Sequence, residues 1–155
     1  MPRYHASSSR LISVPAPTLY AIVADYRTGH PLILPSNFHH FEVEQGGFGA
    51  GTRISFQSTV AGNHRRYHQE IREPEPGHIL QEVELTGDLV TTFTFTAVND
   101  HQTRVSIDTE ASTERTGWLG KVEAWLTKVL SERVESRELA QLETVAHEHS
   151  LALKA

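Results

Sequence analysis

The sequence predicts an α+β domain in which about seven antiparallel strands wrap around one long C-terminal helix. Two patterns predict this class. From residue 121 to residue 149, no Pro or Gly interrupts a run whose apolar residues recur at helical spacing. From residue 37 to residue 109, apolar residues instead alternate with polar ones, in short runs separated by turn residues. Because the strands are segregated from the long helix along the chain, α+β is favoured.

The predicted C-terminal helix runs from Gly117 to about His149 and carries a broad apolar stripe. At ~1.5 Å per residue it is roughly 45 Å long. Steps of three and four residues define two neighbouring lines, Trp118, Val122, Trp125 and Val129 beside Leu119, Leu126, Leu130 and Val134. Because helices are stabilised mainly by packing of such a face, we expect the sheet to cover this stripe.

The N-terminal part predicts one strand followed by two short helices. Residues 5–14 are rich in Ser and β-branched residues and end at Pro15. Pro15 and Pro17 then open a first helix, because proline suits the first helical turn. Between Pro31 and Pro35 a second helix of at most one turn fits. The chain therefore enters the main sheet after two short helices.

The period-two segment predicts six further strands joined by short turns, at residues 37–45, 52–60, 65–73, 79–85, 90–98 and 103–109. Short hairpin links predict an antiparallel sheet with one solvated face. Residues 46–51 contain four glycines and predict either a hairpin or a mobile flap.

Composition limits the classes of function. A chain of 155 residues predicts a single domain over residues 1–155. The net charge of -5 argues against nucleic acid as a partner. Residues 1–10 contain no apolar segment typical of a signal peptide, and the longest apolar run, residues 19–24, is too short to span a membrane. We therefore expect a cytoplasmic protein that does not span a membrane.

Several motifs resemble the START-like superfamily (SRPBCC, Bet v 1-like), and within it the polyketide cyclase/dehydrase and lipid-transport branch. They are the strand that ends in Val14-Pro15-Ala16-Pro17, the helix from Leu19 to Tyr26, His30-Pro31, Gly49-x-Gly51-Thr52, Pro76 to Leu80, and Thr103-Arg104-Val105. The resemblance covers about residues 8–142. It implies a helix-grip fold with a cavity between the curved sheet and the long helix, where a hydrophobic small molecule is held.

Strand and helix periodicity give the residues expected to face that cavity. They are Ile54, Phe56, Tyr67, Gln69, Val83, Phe93, Phe95, Trp118, Val122 and Trp125, with Ile107 on the same face. The alternative is that these residues form a closed core. Gln69 and Tyr67 share a face that would otherwise be dry, and buried polar groups need partners. A ligand, a trapped water or a side-chain network would supply those partners.

Candidate chemistry is sparse in the sequence. Arg65 shares its face with Tyr67, so it is either a ligand for a carboxylate or enolate, or a solvated side chain at a strand start. Ten histidines are present, but His39 and His40 are adjacent and His147 and His149 are two apart on a helix. Neither spacing is typical of a metal site. The sequence therefore predicts no metal and no cofactor.

Three functions remain open. The first is a carrier or sequestering protein that binds a lipid, quinone or polyketide-like molecule. The second is a polyketide cyclase, aromatase or dehydratase that uses the same cavity, with Tyr67 or Arg65 handling charge on oxygen. The third is a non-enzymatic interaction protein. No buried carboxylate or histidine is evident, which favours binding. A homodimer is a further expectation, because the helical stripe continues through Leu142 and Val145.

Overall fold

Seven antiparallel strands form one sheet in the computed structural model, which describes residues 2–60 and 62–154. The strands are β1 (Arg3–Ile12), β2 (Phe38–Gln45), β3 (Arg53–Val60), β4 (Asn63–Glu75), β5 (Ile79–Glu84), β6 (Val90–Asn99) and β7 (Gln102–Ser112). Their order across the sheet is β1-β7-β6-β5-β4-β3-β2. Consecutive strands from β2 to β7 are therefore neighbours, as their short connections predict. The α+β class and the number of strands are confirmed.

Three helices complete the fold: α1 (Ala16–Ala24), α2 (His30–Ile33) and α3 (Gly117–Lys154). Proline stands in the first turn of both short helices, as predicted. α3 contains 38 residues and extends beyond the predicted end at His149. No helix within the described residues combines the length and the hydropathy that a membrane crossing needs.

α3 lies along β1, which is an edge strand of the sheet. The Ser7 backbone N–H donates to Glu132 Oε2 at 3.0 Å, and the Ser8 hydroxyl donates to the Glu132 carbonyl at 3.1 Å. Further along, Arg10 pairs with Glu143 at 2.9 Å. The helix therefore covers backbone groups that an edge strand would otherwise leave free for another chain.

The hydrophobic core lies between α1, the sheet and the C-terminal half of α3. Leu139, Leu142 and Ala146 from α3 are buried in it together with Leu19 and Val23 from α1. Because Leu142 is buried within its own chain, it offers no surface to a second subunit. The reason for expecting a homodimer through Leu142 is therefore wrong.

The predicted orientation of the N-terminal half of α3 is also wrong. Trp118 is 72% exposed and Trp125 is 63% exposed, and Val122 is exposed between them. Small or polar residues instead face the sheet, spaced by three or four positions: Gly120, Ala124, Thr127, Ser131, Glu135 and Glu138. Gly120 has no room for a side chain, because an added Cβ would lie 2.3 Å from the Arg115 carbonyl oxygen. The bulky face consequently points to solvent.

Inward and outward faces of the strands match the prediction in β3, β4 and β6 but not in β5. Ile54, Gln69 and Phe93 are buried as expected. In β5 the inner residues are Leu80, Glu82 and Glu84, and Val83 lies on the outer face. The two glutamates are buried because each accepts hydrogen bonds from groups distant in sequence. The alternation of apolar and polar residues had predicted that both glutamates face solvent.

The glycine-rich segment 46–51 connects β2 to β3 as a hairpin loop. Gly49 has φ +64°, and its N–H donates to the Ala24 carbonyl at 3.0 Å. The Tyr26 N–H donates to the Gly47 carbonyl at 2.8 Å. These bonds attach the loop to the end of α1, which favours the hairpin alternative over a mobile flap.

Candidate active site between the sheet and α3

The interior between the sheet and α3 is lined by more polar side chains than the sequence suggested. Buried polar residues come from four elements and one loop: Gln69 in β4, Glu82 and Glu84 in β5, His30 in α2, Glu135 and Glu138 in α3, and Tyr26 between α1 and α2. Titratable groups buried together in this way are typical of functional sites.

The centre of this interior is a cluster of Tyr26, Glu82, His30 and Glu138. The Tyr26 hydroxyl donates to Glu82 Oε2 at 2.7 Å. The same oxygen lies 3.4 Å from His30 Nε2, and Glu138 Oε1 lies 3.8 Å from that nitrogen. The Tyr26 and His30 rings are stacked with centroids 4.3 Å apart. We call these four residues the acid–base cluster.

The hydrogen bonds of His30 determine where its proton lies. Its Nδ1 is 2.8 Å from the Val23 carbonyl oxygen, which only accepts, so Nδ1 carries a proton. A neutral ring then turns the lone pair of Nε2 toward oxygens of Glu82 and Glu138. Lone pairs so placed repel each other, and a proton between the His30 Nε2 and either carboxyl oxygen would remove that repulsion. The geometry of the acid–base cluster is therefore suited to holding and transferring a proton.

Two buried glutamates of α3, Glu138 of the acid–base cluster and the nearby Glu135, have raised pKa values. Burial raises the pKa of Glu138 well above its usual value, and the nearby charges of Glu82 and Glu135 raise it further. Burial also raises the pKa of Glu135 to about 7. The pKa of Tyr26 is raised well above its ordinary value, chiefly by burial and then by Glu82. Burial thus favours the neutral, protonated forms of both Glu138 and Tyr26.

Gln69 and Glu84 form a second set of buried polar residues, on the β4 side of the acid–base cluster. Gln69 Nε2 donates to Glu84 Oε2 at 3.4 Å, and the His68 backbone N–H donates to Glu84 Oε1 at 2.9 Å. On the β7 side the Thr109 hydroxyl donates to Glu135 Oε2 at 2.7 Å. One carboxyl oxygen of Glu135 and both of Glu84 therefore accept hydrogen bonds.

Aromatic rings surround the polar groups. Phe93 meets the His30 ring edge to face at 5.9 Å, and Phe41 stacks on it at 6.4 Å. Phe56 stacks on Tyr67 at 4.7 Å. Such a mixture of apolar walls and a few fixed polar groups is typical of small-molecule sites.

The predicted site residues divide into two sets. Six lie on the inner face of the sheet: Ile54, Phe56, Tyr67, Gln69, Phe93 and Phe95. Val83 lies on the outer face of β5, and Trp118, Val122 and Trp125 lie on the solvent side of α3. Placing these four in a covered pocket was wrong. Contact of the first six with a ligand stays a prediction.

Arg65 and the histidines are placed away from the interior. Arg65 is exposed, with its guanidinium carbon 5.2 Å from the centre of the Tyr67 ring, which favours a solvated side chain over an interior anion site. His39, His40 and His64 are neighbours at the surface near Thr59. Among the described residues no group of three His, Asp or Glu side chains has the geometry of a metal site.

Two open depressions lie on the surface. One, of about 370 Å³, is lined by Tyr26, Arg27, Pro31, Phe41 and Val43, so it adjoins the acid–base cluster through Tyr26 and Phe41. The other, of about 440 Å³, lies over β2, β3 and β4 and is lined mainly by polar residues, among them His40, Glu42 and His68. The first depression therefore lies beside the acid–base cluster, although Tyr26 itself is buried.

Solved structures with the same arrangement of sheet and helix are known. The KanY protein superposes with a TM-score of 0.82 at 24% identity, over 95% of this chain and 99% of that chain. A START superfamily protein from Mycobacterium smegmatis has a TM-score of 0.72 at 12% identity, over 94% of this chain and 98% of that one. The chain has the START-like helix-grip fold.

The START-like fold is shared with an enzyme among these structures. The Zhui aromatase/cyclase from a Streptomyces species has a TM-score of 0.76 at 13% identity, over 96% of each chain. Neither protein-family models nor curated protein sequences show a match to this chain. A fold shared at such identities hosts several activities, so function has to be argued from the site.

The sequence did not reveal the acid–base cluster. Tyr26 and Glu82 are 56 residues apart, and His30 and Glu138 come from α2 and α3. Two weak signals existed. In β5 both faces mix apolar and polar residues, with Leu80, Glu82 and Glu84 on one face and Ile79, Gln81 and Val83 on the other. In α3, Glu135 and Glu138 continue the side of the helix that carries small residues. Neither signal distinguishes a buried carboxylate from a solvated one.

Proposed function

We propose that this protein binds a hydrophobic small molecule between the sheet and α3 and catalyses proton transfer on it. The reaction class is enolisation next to a carbonyl group, as in an aldol cyclisation or a dehydration. The acid–base cluster carries the proposal, because a carrier needs no transferable proton in its interior. The similar fold of a protein described as an aromatase/cyclase supports the same class.

The cluster can take both roles that enolisation needs. A carboxylate such as Glu82 removes a proton from the carbon next to the carbonyl, and the carbon–hydrogen bonding pair moves toward the carbonyl oxygen. A proton shared by His30 and Glu138 then neutralises that oxygen. The side chains of Glu82 and Glu138 are each 10% exposed, so neither is completely sealed from solvent.

Deuterium exchange tests this activity without the natural substrate. We expect the protein to accelerate exchange of the α-protons of β-tetralone in deuterium oxide, followed by proton NMR. Glu82→Gln keeps an acceptor for the Tyr26 hydroxyl but removes the base, so it should slow the catalysed exchange by about 100-fold. Glu73→Gln is the matched control, because Glu73 accepts a hydrogen bond from Tyr20 at 2.8 Å outside the cluster.

Two results would contradict the proposal. Exchange no faster than in buffer, with β-tetralone bound, would leave the carrier as the function. Equal rates for Glu82→Gln and the unsubstituted protein would remove Glu82 from the reaction.

A second role, self-association, is favoured by the outer face of α3. Trp118 and Leu119 lie four and three residues before Val122, and Trp125 and Leu126 lie three and four residues after it. All five are exposed. An antiparallel pair of α3 helices that meet at Val122 therefore places Trp118 of each copy beside Leu126 of the other, and Leu119 beside Trp125. Such self-complementarity is what a two-fold interface requires.

The size of this face is consistent with a weak homodimer. A tryptophan buries about 150–250 Å² when covered, so the five side chains together approach the roughly 800 Å² per partner of a standard interface without reaching it. We expect analytical ultracentrifugation to show a monomer–dimer equilibrium that Val122→Glu abolishes, because the substitution brings two carboxylates together at the two-fold axis. Val98→Glu, at an exposed valine of β6, is the control. A chain that stays monomeric at all concentrations would contradict this role.

A further inference from the structure

Acidic groups outnumber basic groups in the interior. Four carboxyl side chains are buried between the sheet and α3, namely Glu82, Glu84, Glu135 and Glu138. Within residues 2–60 and 62–150 no lysine or arginine is buried. His30 is the single basic side chain buried beside them in the described structure. Buried charges are normally paired, so the interior is suited to a positive group that the chain does not provide.

Two acceptor atoms in the same interior have no donor among the described residues. One is Oε1 of Glu135, whose residue is 3% exposed, and the other is Oε1 of Gln69, whose residue is 2% exposed. Their companion atoms are satisfied, because Glu135 Oε2 accepts from Thr109 and Gln69 Nε2 donates to Glu84. A buried acceptor without a donor costs about 1–3 kcal/mol, so a bound donor is favoured at both places.

The carboxyls and the free acceptors form one continuous row across the sheet. Gln69 is directly opposite Glu84, and Glu82 lies two residues from Glu84 on the same face. Glu82 is opposite Thr91, which is opposite Thr109, the partner of Glu135. Four strands at ~4.8 Å spacing give the row a length of roughly 14 Å. Glu138 stands one helical turn from Glu135 and is close enough to Glu82 for their charges to interact.

We propose that the ligand of this interior is an amphipathic amine, whose protonated nitrogen is bound by Glu135 and whose apolar part lies against Phe93. An ammonium group has three N–H donors and no acceptor, which matches a set of carboxylates with free lone pairs. A bare metal cation is the poorer match, because the described carboxyl groups do not converge on one point. This inference rests on the proposed function only in that the interior is a ligand site.

Matched pairs of amines and alcohols test the inference. Tryptamine with tryptophol, and the linear amines with their alcohols from four to ten carbons, share shape and apolar area but differ in charge at neutral pH. Dissociation constants are measured by NMR titration. We expect the amine of at least one pair to bind ten-fold or more tightly than its alcohol. Glu135→Gln should reduce that ratio to near one, because it removes the charge and keeps the shape.

A control and two outcomes complete the test. Glu143→Gln removes a carboxylate from α3 outside the interior, where it pairs with Arg10, and should leave the ratio unchanged. Alcohols that bind as tightly as the amines would overturn the inference but leave the proposed proton transfer intact. Binding of neither class would overturn the inference and the interior ligand site together. Slow deuterium exchange with a preserved amine preference would overturn only the proton transfer.

Discussion

Replacing Leu139 with alanine lowers the free energy of unfolding by about 2–5 kcal/mol, measured by urea denaturation. Leu139 is buried among residues of the main core, so the substitution removes buried methyl groups and leaves a cavity. The loss would be a large part of the ~5–15 kcal/mol by which domains are usually stable. The C-terminal half of α3 is thereby expected to stabilise the fold.

The contrasting substitution is Trp125→Ala, in the N-terminal half of the same helix. Trp125 is exposed, so its removal should change the free energy of unfolding by no more than about 0.5 kcal/mol at concentrations where the chain is monomeric. A larger loss for Trp125→Ala than for Leu139→Ala would show that the tryptophan face is covered in solution. The observed placement of α3 would then be wrong.

Glu135→Gln should flatten the dependence of stability on pH. The usual pKa of 4.5 is raised to about 7 in the folded chain, first by burial and further by Asp108 and Glu132, while Thr109 and His5 lower it. The folded state therefore holds this proton more tightly than the unfolded state. Well below pH 4.5 Glu135 is protonated in both the folded and the unfolded state, so its burial does not lower the free energy of unfolding. As pH rises toward 7, the unfolded state loses its proton first and the free energy of unfolding falls.

The size of this effect follows from the pKa difference. A rise from 4.5 to about 7 corresponds to roughly 3 kcal/mol of stability lost by pH 8. The measurement is urea denaturation of both proteins from pH 4 to pH 8, compared as a difference at each pH. Glu135→Gln should become the more stable protein as pH rises, because a neutral amide has no charge to bury. Glu143→Gln controls for the loss of a surface carboxylate, and a difference curve that is level with pH would contradict the raised pKa of Glu135.

Most of the secondary structure could be predicted from local patterns. Pro15 and Pro17 mark the start of α1 because proline suits the first helical turn and no later one. The turns between strands contain Gly, Asn or Pro, and the strands between them alternate, so the hairpins follow from neighbouring residues. The inner faces of β3, β4 and β6 followed as well, because apolar residues occupy one side of each strand.

The orientations of β5 and of the N-terminal half of α3 were both mispredicted, because each depends on contacts with residues outside that segment. The alternation in β5 does not decide which face of the strand is buried. The face with Glu82 and Glu84 is buried because Tyr26, His68 and Gln69 donate hydrogen bonds to these two carboxylates. In α3 the amphipathic pattern predicted that Trp118 and Trp125 face the sheet. At the start of α3, Gly120 instead lies so close to the Arg115 carbonyl and to Pro2, the residue before β1, that a bulky side chain would not fit there.

The sequence alone determined which segments form helices and strands, their order and the α+β class, since these depend on periodicity and on proline and glycine. The helix-grip fold was implied by the resemblance to the START-like superfamily. The tertiary structure decided which carboxylates are buried, which side of α3 meets the sheet, and therefore what the interior can do. The physical reason is that burial of a charge depends on partners brought from distant parts of the chain. Glu82 and Glu138 look like solvated residues until Tyr26 and His30 are placed beside them.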